Sequence, residues 1–114
     1  MKTSYFAKQG KLGQDLKPVS IALSKPDFYQ GREYRKLAPP AWLLNQYHTN
    51  HNEADYVRIY KEEVLDKLDP QEIFDELGED AVLLCWEKTN IFCHRRIVAM
   101  WFKKHLGLEV PEHE

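Results

Sequence analysis

Residues 80–87 read DAVLLCWE, with six apolar residues in succession between two acidic ones. A run of strand length without polar alternation is typical of a strand covered on both faces, as the parallel strands of α/β proteins are. Helical patterns precede and follow the run, so strand and helix alternate along this part of the chain. The stretch therefore predicts a buried central strand in an α/β fold.

The segments on either side of this run carry helix signals. DPQE at 69–72 combines an N-cap aspartate, a proline at the first helical position and a glutamate placed for a capping box. Beyond the run, apolar residues at helical spacing predict a helix over about 94–106. Two earlier helices are expected, over about 40–47 after a proline pair and over about 53–68.

Two segments near the start of the chain have strand patterns. TSYFA at 3–7 is aromatic and partly β-branched, and VSIALS at 19–24 alternates apolar and small polar residues. Long or helical segments separate the strands, which favours a mainly parallel sheet. The predicted fold is a small three-layer Rossmann-like α/β domain with helices flanking this sheet. A short edge strand is also expected around Val110.

The segment 27–38 is expected to be an ordered loop. Prolines stand close to both of its ends, and its aromatic residues Phe28, Tyr29 and Tyr34 can anchor it. Long loops in small domains often carry function. We therefore expect this segment to lie as a lid over the carboxyl edge of the sheet.

The composition predicts one globular domain over residues 1–114. Hydrophobic residues make up 43% of the chain and charged residues 30%, so a core can form without stapling by metals or disulfides. A net charge of −2 argues against bulk binding of nucleic acid. No signal peptide or membrane-spanning run is evident, which predicts a soluble, cytoplasmic protein with no membrane partner. The oligomeric state and any cofactor stay open.

The two cysteines, Cys85 and Cys93, are separated by seven residues. This spacing fits neither a dense disulfide framework nor a zinc knuckle, so both are expected to be free thiols and no metal site is predicted. Cys85 lies in the apolar run and is interpreted as a structural residue pointing into the core. Cys93 stands at the start of the last helix, where the helix dipole and the unpaired backbone N–H groups favour a thiolate.

Cys93, His94 and Glu87 are therefore candidate catalytic residues, with His94 as the acid or base and Arg95 binding an anion. A cysteine at a helix cap can also simply pack, and Glu87 can simply be solvated. The carboxyl ends of parallel strands meet at one edge of a sheet, so polar residues at the other strand ends become candidate ligand-binding residues. These are Ser4, Tyr5, Ser24 and Lys25.

A set of distinctive segments is shared with one known family. They include VSIALSKP at 19–26, YRKLAPP at 34–40 and LLCWEKTNIFCHRRIVAMWF at 83–102, whose Cys-Trp-Glu followed by Cys-His-Arg is the most diagnostic part. On these segments the chain resembles the domain of unknown function 488 family of bacterial, archaeal and phage proteins. The resemblance implies a compact three-layer α/β domain, and the Cys-His-Arg motif has suggested an enzyme. Many members carry an arginine where this chain has Leu23, which puts an anion contact from that position in question.

Two classes of function are compatible with these observations. The first is a small domain that binds a phosphorylated or nucleotide-like small molecule, and that is an enzyme if Cys93, His94 and Arg95 act on it. The second is a phage or mobile-element protein that binds a host protein through the aromatic region 27–47, since exposed aromatic residues anchor interfaces. A pocket that holds an anion beside Cys93 favours the first class, whereas a flat aromatic patch together with a buried, fully bonded Arg95 favours the second.

Overall fold

The computed structural model of the protein describes residues 1–89 and 91–113. The described strands are β1 (Lys2–Tyr5), β2 (Lys17–Ser20), β3 (Arg32–Glu33) and β4 (Ala81–Cys85). The described α-helices are α1 (Ala41–Asn50), α2 (Glu53–Glu63), α3 (Pro70–Leu77) and α4 (His94–Leu106). Short 3-10 helices occupy Phe6–Lys11, Arg35–Leu37 and Leu65–Lys67.

The strands form one sheet in the order β1-β4-β2-β3, and every described pair is parallel. The apolar run of the sequence forms β4, which lies between β1 and β2. Leu83 at its centre is opposite Thr3 on one side and Val19 on the other. The predicted small α/β fold with a parallel sheet is therefore confirmed, and the central position explains why β4 is buried along its whole length.

The two faces of the sheet are covered differently. On one face, Ala81 and Leu83 belong to a large apolar cluster that includes residues of all four α-helices. On the other face, Val82 and Leu84 pack in a smaller cluster with Phe6 and Tyr29. Phe6 begins the first 3-10 helix and Tyr29 lies in the loop between β2 and β3, so the second covering layer consists of a 3-10 helix and loops.

The helix signals of the sequence have the expected structural effect. The side chain of Asp69 accepts a hydrogen bond of 3.0 Å from the backbone N–H of Gln71 at the start of α3. Gly107 ends α4 with a positive φ of 65°. The helix expected over 53–68 is shorter than predicted, because α2 ends at Glu63 and the chain continues as a 3-10 helix. The apolar spacing persists through this change of helix type, so periodicity did not reveal it.

The prediction that segment 27–38 covers the carboxyl edge of the sheet is wrong. Since β3 is parallel to β2 and pairs with its last two residues, the chain must turn back toward the amino edge before β3 begins. It does so across the second face of the sheet, where Tyr29 is fully buried and its hydroxyl donates a hydrogen bond of 2.6 Å to the carbonyl of Arg32. The segment is therefore part of the fold and forms the edge strand.

The course of the chain after β2 and after β4 creates a crevice between these two neighbours. From β2 the chain leads to β3 on one side, whereas from β4 it passes through α4 to the far edge beyond β1. There, Glu112 forms a single parallel bridge with Thr3, which is all that the described residues show of the predicted strand around Val110. Neighbouring strands whose connections diverge leave room for ligands at their carboxyl ends.

None of the helices in the described part of the chain is both long enough and apolar enough to cross a membrane.

Candidate functional site

A cavity of about 480 Å³ lies at the carboxyl ends of β2 and β4, within the usual size range of small-molecule sites. The loop after β2 contributes residues 22–24, and the end of β4 contributes residues 85–87. Residues 91–94 close it from the start of α4, and side chains of α1 and α2 close it from the helical layer. The cavity therefore occupies the crevice that the strand order creates.

The lining of the cavity is mainly apolar and aromatic. Tyr47, Tyr56 and Phe92 form an aromatic group, with ring centroids 5.1 to 5.5 Å apart, and Leu23 and Leu44 add aliphatic surface. Polar groups are few and come from residues such as Ser24, His48 and Glu87. Among the described residues, no lysine or arginine lines the cavity. The site is thus shaped for a mainly uncharged or aromatic portion of a ligand.

Cys93 and His94 form a side-chain pair at the wall of this cavity. Cys93 is the N-cap of α4 in an extended conformation, and His94 is the first residue of the helix. The Nδ1 atom of His94 lies 3.8 Å from the Sγ atom of Cys93, while Nε2 lies 2.8 Å from the carbonyl oxygen of Ile21. Because a carbonyl oxygen only accepts hydrogen bonds, Nε2 carries the proton, which leaves the lone pair of Nδ1 directed at the sulfur.

Burial determines the charge of this histidine. Desolvation lowers the pKa of His94 from 6.5 to about 4, and the nearby positive charge of Arg95 acts in the same direction against the hydrogen bond to Ile21. His94 is therefore neutral near pH 7. A neutral imidazole with a fixed tautomer can accept a proton from a thiol or donate its lone pair to a metal ion.

The prediction that Cys85 and Cys93 are free thiols is wrong. Their sulfur atoms are joined as a disulfide, and their Cα atoms are 7.2 Å apart. Both cysteines belong to the smaller apolar cluster, because Cys85 ends β4 and Cys93 is the N-cap of the helix that follows. The spacing along the chain could not reveal this, since the contact depends on how the loop after β4 returns. Cys85 is buried in the core, as expected, and it also contributes to the cavity wall.

Arg95 is buried, with 1% of its surface exposed, and does not line the cavity. Its guanidinium forms an ion pair of 2.7 Å with Glu112 and also donates to the carbonyl of Glu87 and to the Sγ of Cys85, over 2.7 and 3.0 Å. Burial alone would raise the pKa of Glu112, but hydrogen bonds from Arg95 and Thr3 outweigh it and the pKa is lowered. The expected anion contact of Arg95 thus gains no support from its position.

The remaining candidate residues are spread around the edge of the sheet. Glu87 and Ser24 line the cavity with exposed side chains, so the structure brings them together with Cys93 and His94. Lys25 instead donates a hydrogen bond of 2.9 Å to the carbonyl of Tyr29. Ser4 is fully buried, and neither it nor Tyr5 lines the cavity. Both belong to β1, which lies on the far side of β4 from the crevice.

Sequence reasoning missed the contribution of the helical layer to the site. Tyr47 and His48 of α1 and Tyr56 of α2 line the cavity, although they are about forty residues away from Cys93 in the chain. Their helical spacing predicts that the tyrosines face inward but not which end of the sheet they reach. Glu112, the partner of Arg95, was also missed, because a lone glutamate near the end of the chain carries no local signal.

Comparison with known proteins identifies a family for this chain. A family model described as the active DUF488-N3 subclade matches residues 15–106, which include the cavity and both cysteines. No curated protein and no solved structure is significantly similar to the chain.

Proposed function

Because this chain belongs to the DUF488 family, with its match in the active DUF488-N3 subclade, we propose that it is an enzyme that uses the thiol of Cys93 as a nucleophile. The substrate is a small, mainly apolar or aromatic molecule with one electrophilic carbon, such as a carbonyl carbon. His94 acts as the base for Cys93, and the cavity between β2 and β4 holds the substrate.

The observation that carries the proposal is the geometry of Cys93 and His94 at the cavity wall. A nucleophilic cysteine needs a base within reach and a third group that orients the base. Here Nδ1 of His94 is 3.8 Å from the sulfur, and the carbonyl of Ile21 orients the imidazole through Nε2. The cysteine also stands at the N-terminus of the 13-residue helix α4, whose dipole stabilises a thiolate.

The lining of the cavity supports the type of substrate. An aromatic ring, including a nucleobase, fits the group of Tyr47, Tyr56 and Phe92. The described lining residues include no lysine or arginine that could bind a phosphate group. The expectation of a phosphorylated ligand therefore rests only on the N-terminus of α4. We therefore propose an uncharged reacting group, with any phosphate directed toward solvent.

The proposed chemistry has two steps. In the first, His94 takes the proton of Cys93, the sulfur bonds to the electrophilic carbon, and the leaving group departs with its bonding electrons and that proton. In the second, water gives its hydroxyl to the carbon and its proton returns to the sulfur through His94. The first N–H groups of α4 lack intrahelical acceptors and can stabilise the negative charge that develops on a carbonyl oxygen. The net reaction is hydrolysis.

The disulfide between Cys85 and Cys93 makes this chemistry dependent on reduction. A disulfide sulfur has no thiol proton to lose, so Cys93 acts only after a thiol reductant has opened the bond. In the disulfide-bonded structure, Arg95 donates a hydrogen bond to Cys85 and His94 faces Cys93, so we expect the two thiols to have different surroundings after reduction.

The alternative of an interaction protein with an aromatic docking surface is less well supported. Of the aromatic residues in region 27–47, Tyr29 and Tyr34 are buried and Tyr47 lines the cavity. Phe28 and Trp42 are exposed to 57% and 50%. Arg95 is buried and fully bonded, as this alternative requires, but its partner Glu112 accounts for that without any binding partner.

Alkylation of the reduced protein tests the proposal. We expect iodoacetamide to label Cys93 at least about tenfold faster than Cys85 near pH 7, with a labelling pKa below the 8.5 of a free thiol. Replacing His94→Gln should slow the labelling of Cys93 about tenfold, whereas His105→Gln, at the exposed far end of the same helix, should leave it unchanged.

Peptide mass spectrometry after timed quenching gives both rates from one sample. Equal rates for the two cysteines, or an ordinary thiol pKa for Cys93, would exclude it as the nucleophile. Because Cys93 is slightly more exposed than Cys85, at 9% against 1%, the pH profile and the His94 variant decide the matter and the bare rate ratio does not.

A further inference from the structure

Three side chains at the wall of the cavity carry metal-binding atoms close to one another. The two sulfurs of Cys85 and Cys93 and a ring nitrogen of His94 all lie within 4.8 Å of each other, and all three residues are buried. No other such group is found among the described residues. Two thiolates and one imidazole are a ligand set that Zn²⁺ and similar thiophilic cations prefer.

The distances in this group suit a tetrahedral ion. With bonds of about 2.0 Å to nitrogen and 2.3 Å to sulfur, a nitrogen and a sulfur on the same zinc ion are about 3.6 Å apart. The observed distance between Nδ1 of His94 and Sγ of Cys93 is 3.8 Å. The Cα atoms of Cys85 and Cys93 are 7.2 Å apart, beyond the range of about 4.4–6.8 Å that disulfides usually span. This backbone separation leaves room for two thiolates around a shared ion.

The surroundings of the three side chains also match those of metal ligands. Histidines that bind metals usually donate their other N–H to a carbonyl or a carboxylate, as His94 does to Ile21. Arg95 donates to the sulfur of Cys85, which stabilises a thiolate. The charge of Arg95 is compensated by Glu112 at 2.7 Å, so it does not add an unpaired positive charge beside a cation.

We propose that Cys85, Cys93 and His94 bind one thiophilic divalent cation, with Zn²⁺ as the natural probe, and that the fourth coordination position opens into the cavity. One consequence rests on the proposed function: the bound ion withdraws the Cys93 thiolate and the lone pair of His94, so occupancy inhibits the enzyme. The ion and the disulfide exclude each other, since both use the same sulfur atoms.

Binding is tested on the reduced 114-residue chain after removal of metals. Titration with Co²⁺ should produce thiolate-to-cobalt charge-transfer absorption that saturates at one equivalent and is displaced by Zn²⁺. Cys85→Ser, Cys93→Ser and His94→Gln should each weaken binding by at least about tenfold, since even the loss of an outer-shell partner costs that much. His105→Gln serves as the matched control and should bind as the unmodified chain does.

A second measurement does not depend on the variants folding. Zn²⁺ added to the reduced, unmodified chain should slow the alkylation of both cysteines, and a chelator should restore it. Absence of charge-transfer absorption, or unchanged alkylation with Zn²⁺, would overturn the proposal. The proposal would also be overturned if the reduced chain bound no metal and its two thiols were instead oxidised by air to the disulfide, with loss of two hydrogen atoms. Alkylation without metal tests the nucleophile separately, so the two proposals can fail independently.

Discussion

His94 and Arg95 are neighbours in the chain and are both buried, yet they resolve the problem of charge in opposite ways. His94 has no acidic partner among the residues that the structure describes, so burial lowers its pKa and it remains neutral. Arg95 stays protonated at any ordinary pH, and its charge is compensated by an ion pair with the carboxylate of Glu112. The pair therefore supplies one neutral base at the cavity and one compensated charge behind it.

The depressed pKa of His94 predicts a pH dependence of stability. Below pH 6.5 the histidine of the unfolded chain takes up a proton, whereas the folded one stays neutral until about pH 4. The unfolded state thus binds more protons in this window, and the free energy of unfolding falls as the pH falls from 6.5 to 4, by up to about 3 kcal/mol. Urea denaturation at several pH values measures this.

The variant His94→Gln should remove this contribution. Its free energy of unfolding should change less than that of the unmodified chain between pH 6.5 and 4, while His105→Gln should follow the unmodified curve. Parallel curves for the His94 variant and the unmodified chain would show that the histidine is not the group responsible.

At the scale of elements, the segment after α4 connects β1, at the edge of the sheet, with the loop after β4 and with the start of α4. Glu112 accepts hydrogen bonds from Thr3 of β1, from Thr89 and from Arg95 of α4. The backbone N–H of His113 also donates to the carbonyl of Thr3 over 2.7 Å. One carboxylate thereby joins β1, the loop after β4 and the first turn of α4.

Replacing Glu112→Ala should therefore destabilise the fold strongly. The change leaves the guanidinium of Arg95 buried without its counter-ion, and breaking a buried pair in this way costs about 3–5 kcal/mol. Glu109→Ala is the matched control, because the carboxylate of Glu109 is 76% exposed and its ion pair with Lys103 contributes little. Urea unfolding of both variants at pH 7 gives the comparison, and equal losses would contradict this account.

The connection from β2 to β3 depends on one close approach. A Cβ atom on Gly31 would lie 2.5 Å from the hydroxyl oxygen of Tyr29, which is buried and held by the carbonyl of Arg32. Gly31→Ala should cost about 1–3 kcal/mol of unfolding free energy through this overpacking. Gly10→Ala has open space around its Cβ and should change the free energy by less than about 0.5 kcal/mol. Thermal unfolding of the two variants distinguishes the cases.

Prediction from the sequence succeeded where the signal is local. The cap at Asp69, the end of α4 at Gly107 and the apolar run of β4 each depend on neighbouring residues, and all three are observed. The path of segment 27–38 was predicted wrongly because it depends on β3, a two-residue strand whose pairing with β2 has no periodicity to detect.

In the candidate site, too, the features with a local signal were predicted and the contacts between distant segments were not. The sequence placed Cys93 and His94 at a helix N-terminus beside β4, which is correct. It could not place Cys85 against Cys93 or bring Tyr47 and Tyr56 over them, because these contacts join separate elements. It also assigned Arg95 to a ligand because its partner Glu112 lies in a distant segment.

At the scale of the whole molecule, the chain is compact, and many of its contacts join residues that are far apart in the sequence. The radius of gyration is 13.3 Å, close to the value of about 13 Å that a folded chain of this length should have. Lys2 of β1 pairs with Val82 of β4, eighty residues further on. The central strand, in the last third of the sequence, thus pairs with two strands from the first twenty residues.

These distant contacts predict slow folding. Closing such large loops before the strand pairs form costs entropy, and long-range pairing in parallel sheets is slow, so we expect folding in roughly milliseconds or longer. Stopped-flow fluorescence of the tryptophans after dilution from urea should report this range. Refolding in microseconds, as in helical bundles, would mean that the helical layer forms without the sheet.

The position of β4 also matters while the chain is being made. β1 and β2 have no pairing with each other and depend on a strand that lies about sixty residues downstream of Ser20. At a synthesis rate of about 5–20 residues per second, β2 waits roughly 3–12 s and β1 roughly 4–15 s before β4 is made. Until then the nascent chain exposes strand edges that are prone to aggregation, so the ribosome-bound intermediate is the stage at which this protein most needs a chaperone.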